Sequence, residues 1–336
     1  VVQCITKHLQ KDENITNISA FLGEGQPLDF AALVKQSALK DKESQAEIMI
    51  NIKKLGNRDI TSYNLVSNLR QNIQSSCSLY DANIKFIELP AGPPVLASIV
   101  AEVYGGDSFQ SRKEFALKVA SILKNQATLV DIDILADKDF IIYELELDSS
   151  KAIMSNVDLA QIKNILYLAF EGMKVAVINQ ANAQNQIPIF LRLDDSRLLK
   201  DSTQNDLKAK LQSLKIINAQ GNTVSIAEFV SIKEIIKEPT ITSKNLNLMI
   251  NVIAETSKDS QIYPLLDARN EMISSFDSNY EIIKADMLNV SFIDKNTKER
   301  FDVVFDGELK VTIDTFIDLG GAFIIALVLI FFLMVM

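Results

Sequence analysis

The sequence predicts an α+β fold carried on a membrane helix, and three observations predict it. Strand–helix–strand units of similar length recur along the chain. Residues 148–239, of different pattern, stand between the two halves of one such repeat. At the C-terminus, Leu319–Met336 (LGGAFIIALVLIFFLMVM) runs for 18 residues without a charge or a hydrogen-bonding side chain, the length at which an apolar run is read as a bilayer span.

The first unit opens with Val1, Ile5 and Leu9 at i, i+4, i+8 over residues 1–12, an amphipathic helix that begins mid-element. Ile15–Leu22 reads as a strand, Gly23-Glu-Gly25-Gln-Pro27 as a loop, and Ala46–Lys53 as an alternating strand. Residues 60–75 return to helical spacing through Leu65, Val66, Leu69 and Ile73, and Asn83–Glu88 is read as the last strand. Pro90-Ala-Gly92-Pro93-Pro94 then closes the domain, because no helix or central strand crosses it. The order α-β-β-α-β is that of a ferredoxin-like (βαβ-βαβ) sandwich lacking its first strand, which would lie upstream of Val1.

The pattern then recurs. Ser98–Tyr104, a helix at 109–124 and Leu129–Leu135 make one βαβ unit. Leu246–Ala254, a helix at 262–276 and Glu281–Met287 make another, so a second ferredoxin-like sandwich spans 93–147 and 240–305. Between its halves, 148–239 forms an inserted α+β domain, with helices at Asp158–Phe170 and Asn205–Leu211 and strands near Met173–Ile178, Ile187–Leu193, Leu214–Ile217 and Phe229–Ile236. Residues 306–318 are read as an amphipathic lead-in to the span at 319–336.

Twelve residues of that span are Leu, Ile, Phe or Val, and at roughly −0.3 to −0.6 kcal/mol each they favour insertion by about 4 to 7 kcal/mol. Asp302, Asp306, Glu308, Asp314 and Asp318 face a single Lys310 ahead of it, and a flank so poor in basic residues is expected outside the cytoplasm. The apolar run breaks off at Val335-Met336 without polar residues, as expected of a segment of a longer polytopic protein.

Net charge is −9 with the charges well mixed, which leaves no basic footprint for nucleic acid. Cys4 and Cys77 are the only cysteines and allow one disulfide at most; two unpaired thiols are expected. His8 is the only histidine and is read as a solvated side chain on a surface helix. Gly23-Glu-Gly25 starts like a dinucleotide fingerprint, but Leu28 occupies the third glycine position and no strand–turn–helix context surrounds it. Catalytic motifs such as G-x-S-x-G, the P-loop, H-E-x-x-H and C-x-x-C do not occur. The acidic pairs Asp131/Asp133, Glu144/Glu146 and Asp194/Asp195 are read as solvent-facing strand positions. Soft thioethers can bind monovalent copper, but Met49, Met154, Met173, Met249, Met272 and Met287 fall in different predicted elements and are read as packing. Nothing calls for an enzyme, a cofactor or a resident metal.

Three stretches resemble one family. Glu88–Gly105 (ELPAGPPVLASIVAEVYG) is similar to the join between the two porter subdomains of resistance-nodulation-division efflux permeases. Phe305–Phe332 resembles the segment leading from such a porter domain into its next membrane helix, and Leu147–Ile178 looks like the start of the inserted docking domain. The resemblance implies a porter subdomain at 1–92, a split second one, and a docking domain at 148–239. It implies a bacterial inner-membrane transporter with residues 1–318 in the periplasm, exporting drugs or other small solutes by alternating access under the proton-motive force.

The implied partners are two further copies in a homotrimer, a periplasmic adaptor (membrane fusion protein), an outer-membrane channel, the lipid bilayer and a small-molecule substrate. By position, Gly23–Phe30 corresponds to the family's switch loop, and Phe86-Ile-Glu88-Leu89 borders the cleft, so Gly23, Gly25, Phe30, Phe86, Glu88 and Leu89 are the implied cleft residues. The loop is shorter, more acidic and poorer in aromatics than that of a typical drug exporter. Two alternatives stand beside this reading: a metal-exporting permease of the same superfamily, and a single-span membrane-anchored sensor or binding ectodomain.

Overall fold

The computed structural model describes all residues except 38–39, 43, 79–81, 89–94, 184–185, 194–203, 258–261 and 336. In chain order, α1 (Val2–Leu9) lays Ile5 and Leu9 inward, and β1 (Ile15–Leu22) follows. A loop with a short helix α2 (Phe30–Val34) leads to β2 (Ala46–Ile52), antiparallel to β1 from Ile15↔Ile52 to Leu22↔Ala46. Helix α3 (Ser62–Cys77) is capped by Thr61, whose hydroxyl accepts from the Asn64 amide. This subdomain has its own small core of Ile5, Leu9, Ile73 and Cys77, with Ile15, Ile18, Ile48, Ile50, Ile84 and Phe86 packed on it.

Two expectations are corrected here. Cys4 and Cys77 are disulfide-bonded rather than free, because α1 packs against α3 and brings their Cα atoms to 5.8 Å, a separation a disulfide bridges. Residues 83–88, expected as the last strand, pack Ile84 and Phe86 on this core but join no β-ladder among the described residues. Side chains satisfy that backbone instead: Gln74 Nε2 donates to the Ile84 carbonyl at 2.9 Å, and the Phe86 amide donates to Asp131 Oδ2 at 3.1 Å.

The second subdomain begins with β3 (Ile99–Gly105), α4 (Phe109–Asn125) and β4 (Leu129–Ile134). Ser108 and Ser111 close a reciprocal capping box at the start of α4. The chain then enters a separate compact unit, Lys138–Pro239. Its elements are β5 (Ile141–Leu147), α5 (Ser149–Met154), α6 (Leu159–Phe170), β6 (Met173–Ile178), β7 (Ile187–Leu191), α7 (Gln204–Ser213), β8 (Lys215–Ile217), β9 (Thr223–Ser225) and β10 (Val230–Ile236). Strand β5, within the 93–147 span read as part of the second sandwich, pairs with β10 inside this unit. The unit's core is Ala152, Val157, Ile162, Leu211, Ile216, Ile226, Phe229 and Val230.

Back in the first unit come β11 (Thr242–Lys244), β12 (Asn247–Thr256), α8 (Ile262–Phe276), β13 (Tyr280–Ala285), β14 (Asn289–Asp294), β15 (Arg300–Asp306) and α9 (Glu308–Val335). The sheet runs β11-β12-β3-β15-β14-β13, with β4 also paired to β12. A plain βαβ-βαβ sandwich would set β13 beside β3; here the β14–β15 hairpin lies between them, and all the pairings are antiparallel. The acid-rich stretch from Asp302 to Asp306 is sheet, which takes Asp306 out of the expected lead-in: Phe301, Val303 and Phe305 point to the core while Asp302, Val304 and Asp306 alternate to the other face. Helices α4 and α8 cover the core face, where Phe115 stacks on Phe301 with centroids 4.3 Å apart and packs against Phe276, Tyr280 and Phe292.

The expected separate lead-in is instead the first turns of one continuous 28-residue helix, α9. Its Leu309 is buried in the second subdomain's core and Ile313 packs beside it. At 1.5 Å per residue α9 is about 42 Å long, more than the roughly 30 Å of a hydrocarbon core. Its apolar window has a mean hydropathy of 2.7 and no part of it is buried.

Candidate functional site

The two subdomains of the first unit each keep a separate apolar core, and the surface where they meet is polar. Its centre is Arg70 of α3, the only charge in a helix otherwise made of neutral residues. Arg70 Nη2 lies 3.0 Å from Asp131 Oδ2 on β4, with the two side chains 13% and 3% exposed. Gln74 Nε2 donates to the other carboxylate oxygen at 3.2 Å. Asp131 holds a left-handed backbone (φ 53°), a conformation Asp tolerates better than most residues, and β12 makes a register shift opposite it, between Ile253 and Glu255.

Asp131 is thus not a solvent-facing acid. The face of β4 that carries Asp131 and Asp133 is the one the first subdomain covers: Asn83 Nδ2 donates to Asp133 Oδ2 at 3.1 Å and Lys85 Nζ to the Ile132 carbonyl at 2.7 Å. Burial lowers the Lys85 pKa, against the pull of Asp133 and Asp131. By contrast Glu146, 3.3 Å from Lys233, is exposed as expected, and Asp194/Asp195 lie outside the described residues.

Among the described residues three further ion pairs cross the seam, the longest being Lys85 Nζ to Asp133 Oδ2 at 3.9 Å. Lys35 Nζ, on a side chain only 8% exposed, lies 3.3 Å from Glu255 Oε1 at the end of β12, and Glu255 also accepts from Ser98. Lys42 Nζ lies 2.9 Å from Asp137 Oδ1, whose other oxygen accepts from both the amide and the hydroxyl of Thr240. Hydrogen bonds from Thr240 and Lys42 draw the Asp137 carboxyl down to about 2 against its partial burial.

Of the sequence-derived cleft residues, Phe86 and Glu88 come to this seam. The Arg70 guanidinium sits 5.6 Å above the Phe86 ring. Burial raises the Glu88 pKa, Arg70 opposes that, and Glu255 adds to it. Gly23 and Gly25 shape the loop between β1 and β2. Gly23 is left-handed (φ 72°) and its amide donates to the Gln45 carbonyl, continuing the β1–β2 ladder by one step. A Cβ on Gly25 would fall 2.1 Å from the Ser37 carbonyl oxygen. Glu47 ties this loop down, accepting from the Gln26 amide and the Ser37 hydroxyl. Phe30 is 69% exposed, beside exposed Leu28 and Leu33. Leu89 lies outside the described residues.

Sequence reasoning missed Arg70, Asp131, Lys35 and Glu255. The signal available for one of them was the lone charge on α3, which needs a counter-ion if it is buried. The methionines do not share an element: Met272 is in the second subdomain's core, Met154 and Met173 are in the inserted unit, and Met49 and Met249 are in different sheets.

The family model for the AcrB/AcrD/AcrF family matches residues 1–275. No curated protein matches the sequence. Among solved structures, the fold is similar to that of a heavy metal efflux pump in two crystal forms, with TM-scores of 0.67 and 0.66 at 13% and 14% identity. Each match covers 98% of this chain and 31% or 30% of the pump, so the chain spans about a third of the pump's length.

Proposed function

Because the chain belongs to the AcrB/AcrD/AcrF family of resistance-nodulation-division efflux permeases, we propose that it forms the porter and docking portion of a permease that exports drugs or other small solutes. In this reading residues 1–92 and the split 93–147/240–305 are the two porter subdomains, 148–239 the docking domain, and the seam around Arg70 and Asp131 the base of the substrate cleft. The observation that carries it is the contrast between two separate apolar cores and a seam of ion pairs. Bodies joined by polar contacts can shift against each other without tearing a core. Gly23, Gly25, Phe30, Phe86 and Glu88 line the path beside that seam.

The domain sits in the periplasm on α9. A disulfide fits an oxidising compartment, and the acid-rich flank fits the non-cytoplasmic side. The apolar stretch of α9 has no ionisable residue, so the proton relay that drives transport belongs to other membrane helices, where intramembrane charge is functional. A homotrimer docked to an adaptor and an outer-membrane channel completes the pump. Apart from Lys174 and the half-buried Met173, the β6–β7 hairpin is apolar and exposed, with Val175 at 51% and Phe190 at 59%, a surface suited to protein contacts.

A metal cargo is the alternative, and the two readings separate in cells. Expression of the complete permease in an efflux-deficient bacterium should lower accumulation of a lipophilic fluorescent dye, and Glu88→Gln should reduce that effect severalfold. Unchanged dye accumulation with raised silver or copper tolerance would overturn the solute reading.

A further inference from the structure

The chain's only histidine lies beside its only two cysteines. Cys4 and His8, at i and i+4, share one face of α1, and Cys77 is the last residue of α3. His8 Nδ1 is 3.8 Å from Cys4 Sγ and 3.5 Å from Cys77 Sγ, and the three donor atoms lie within 4.8 Å of one another. Cys77 is fully buried; Cys4 and His8 are half-buried. None of this belongs to the seam, and none of it is needed to close a disulfide.

We propose that reduction of the Cys4–Cys77 disulfide opens a binding site for a soft monovalent cation, Cu(I) or Ag(I), with Cys4 Sγ, Cys77 Sγ and His8 as ligands. Two thiolates and an imidazole are the donor set such d10 cations prefer. Among the described residues no carboxylate joins the group, so it offers three donors and not the four that a structural Zn(II) takes. Two helices already hold the donors together, so little chain ordering remains when the ion arrives.

The chemistry balances with a dithiol reductant, such as the active site of a thiol–disulfide exchange protein. The reductant gives two electrons and two protons to the S–S bond and becomes a disulfide, leaving two protein thiols. The cation then displaces both thiol protons. His8 Nδ1 is 3.0 Å from the Cys4 carbonyl oxygen, a contact the Nδ1–H tautomer makes. Ligation through Nδ1 therefore moves that proton to Nε2. The oxidised form cannot bind, so the disulfide is the closed state of the site. This inference is independent of the solute-export reading.

The test uses the full chain in detergent, reduced with a phosphine, freed of reductant without air, and titrated with Cu(I) against a chromophoric Cu(I) chelator. The reduced chain should withdraw one Cu(I) per molecule and the oxidised chain none. His8→Ala should weaken binding at least tenfold, and Cys4→Ser or Cys77→Ser at least a hundredfold. Three results would each overturn the proposal: no uptake by the reduced chain, uptake unaffected by His8→Ala, or equally tight Zn(II) binding. Loss of the α1–α3 helical signal on reduction would also overturn it, because the site needs the folded dithiol.

Discussion

Asp131 accepts from Arg70, Gln74 and the Phe86 amide while its side chain is 3% exposed. Removing one partner of a buried pair costs more than replacing both, because the remaining charge is stranded. Arg70→Ala should therefore lower stability by about 2–4 kcal/mol, read as a fall in denaturant midpoint, whereas Arg70→Met with Asp131→Asn, which also tolerates the left-handed backbone and still accepts from Gln74 and the Phe86 amide, should recover most of the loss. A cost under about 0.5 kcal/mol would place Asp131 in the wet-surface class. Asp137 gives a pH signature. Its folded pKa of about 2 lies below the ordinary aspartate value of 3.8, so its contribution is complete above 3.8 and is lost as pH falls from there towards 2. Asp137→Asn should flatten the acid limb of the stability profile in that window by on the order of 1 kcal/mol after solvent screening. The sequence placed Asp131 on the correct face of β4 but misjudged what covers that face. Alternation reports which side chains point the same way, not whether a second subdomain lies on them. The disulfide was missed for the same reason, since nothing local reports that α1 and α3 pack 73 residues apart.

Periodicity located most elements: β1 falls at Ile15–Leu22, α8 at Ile262–Phe276 and β6 at Met173–Ile178, where apolar spacing put them. The β14–β15 hairpin escaped because Asp302 and Asp306 give that stretch the look of a charged flank to the apolar helix. Phe301, Val303 and Phe305 alternate between them with the period of a half-buried strand. Residues 83–88 erred the other way, carrying a strand pattern without ladder partners among the described residues. The β6–β7 hairpin is the element whose exposure sets up a test. Apart from Lys174 its residues are apolar, and all but Met173 are exposed, so Phe190→Lys with Val175→Lys should abolish trimer formation by the complete permease in light scattering while shifting its melting temperature by no more than about 2 °C. Retention of the trimer would assign the hairpin to the adaptor or channel.

At the scale of the whole molecule, the recurrence of βαβ units and the terminal apolar run made the α+β class and the membrane helix legible, and the family resemblance matched the chain's membership. The seam was not legible, because Arg70–Asp131, Lys35–Glu255 and Lys42–Asp137 join residues 61, 220 and 95 positions apart. The account depends on that seam moving during transport. Lys35 and Glu255 meet across it at 3.3 Å, and a pair of cysteines there can be tied by a short thiol crosslinker that leaves the Cys4–Cys77 disulfide intact. In the complete permease, crosslinked Lys35→Cys/Glu255→Cys should lose nearly all dye export, while the untreated double variant and each treated single variant keep most of it. Export by the crosslinked protein at the untreated rate would show that the two subdomains need not move apart, and would contradict the account.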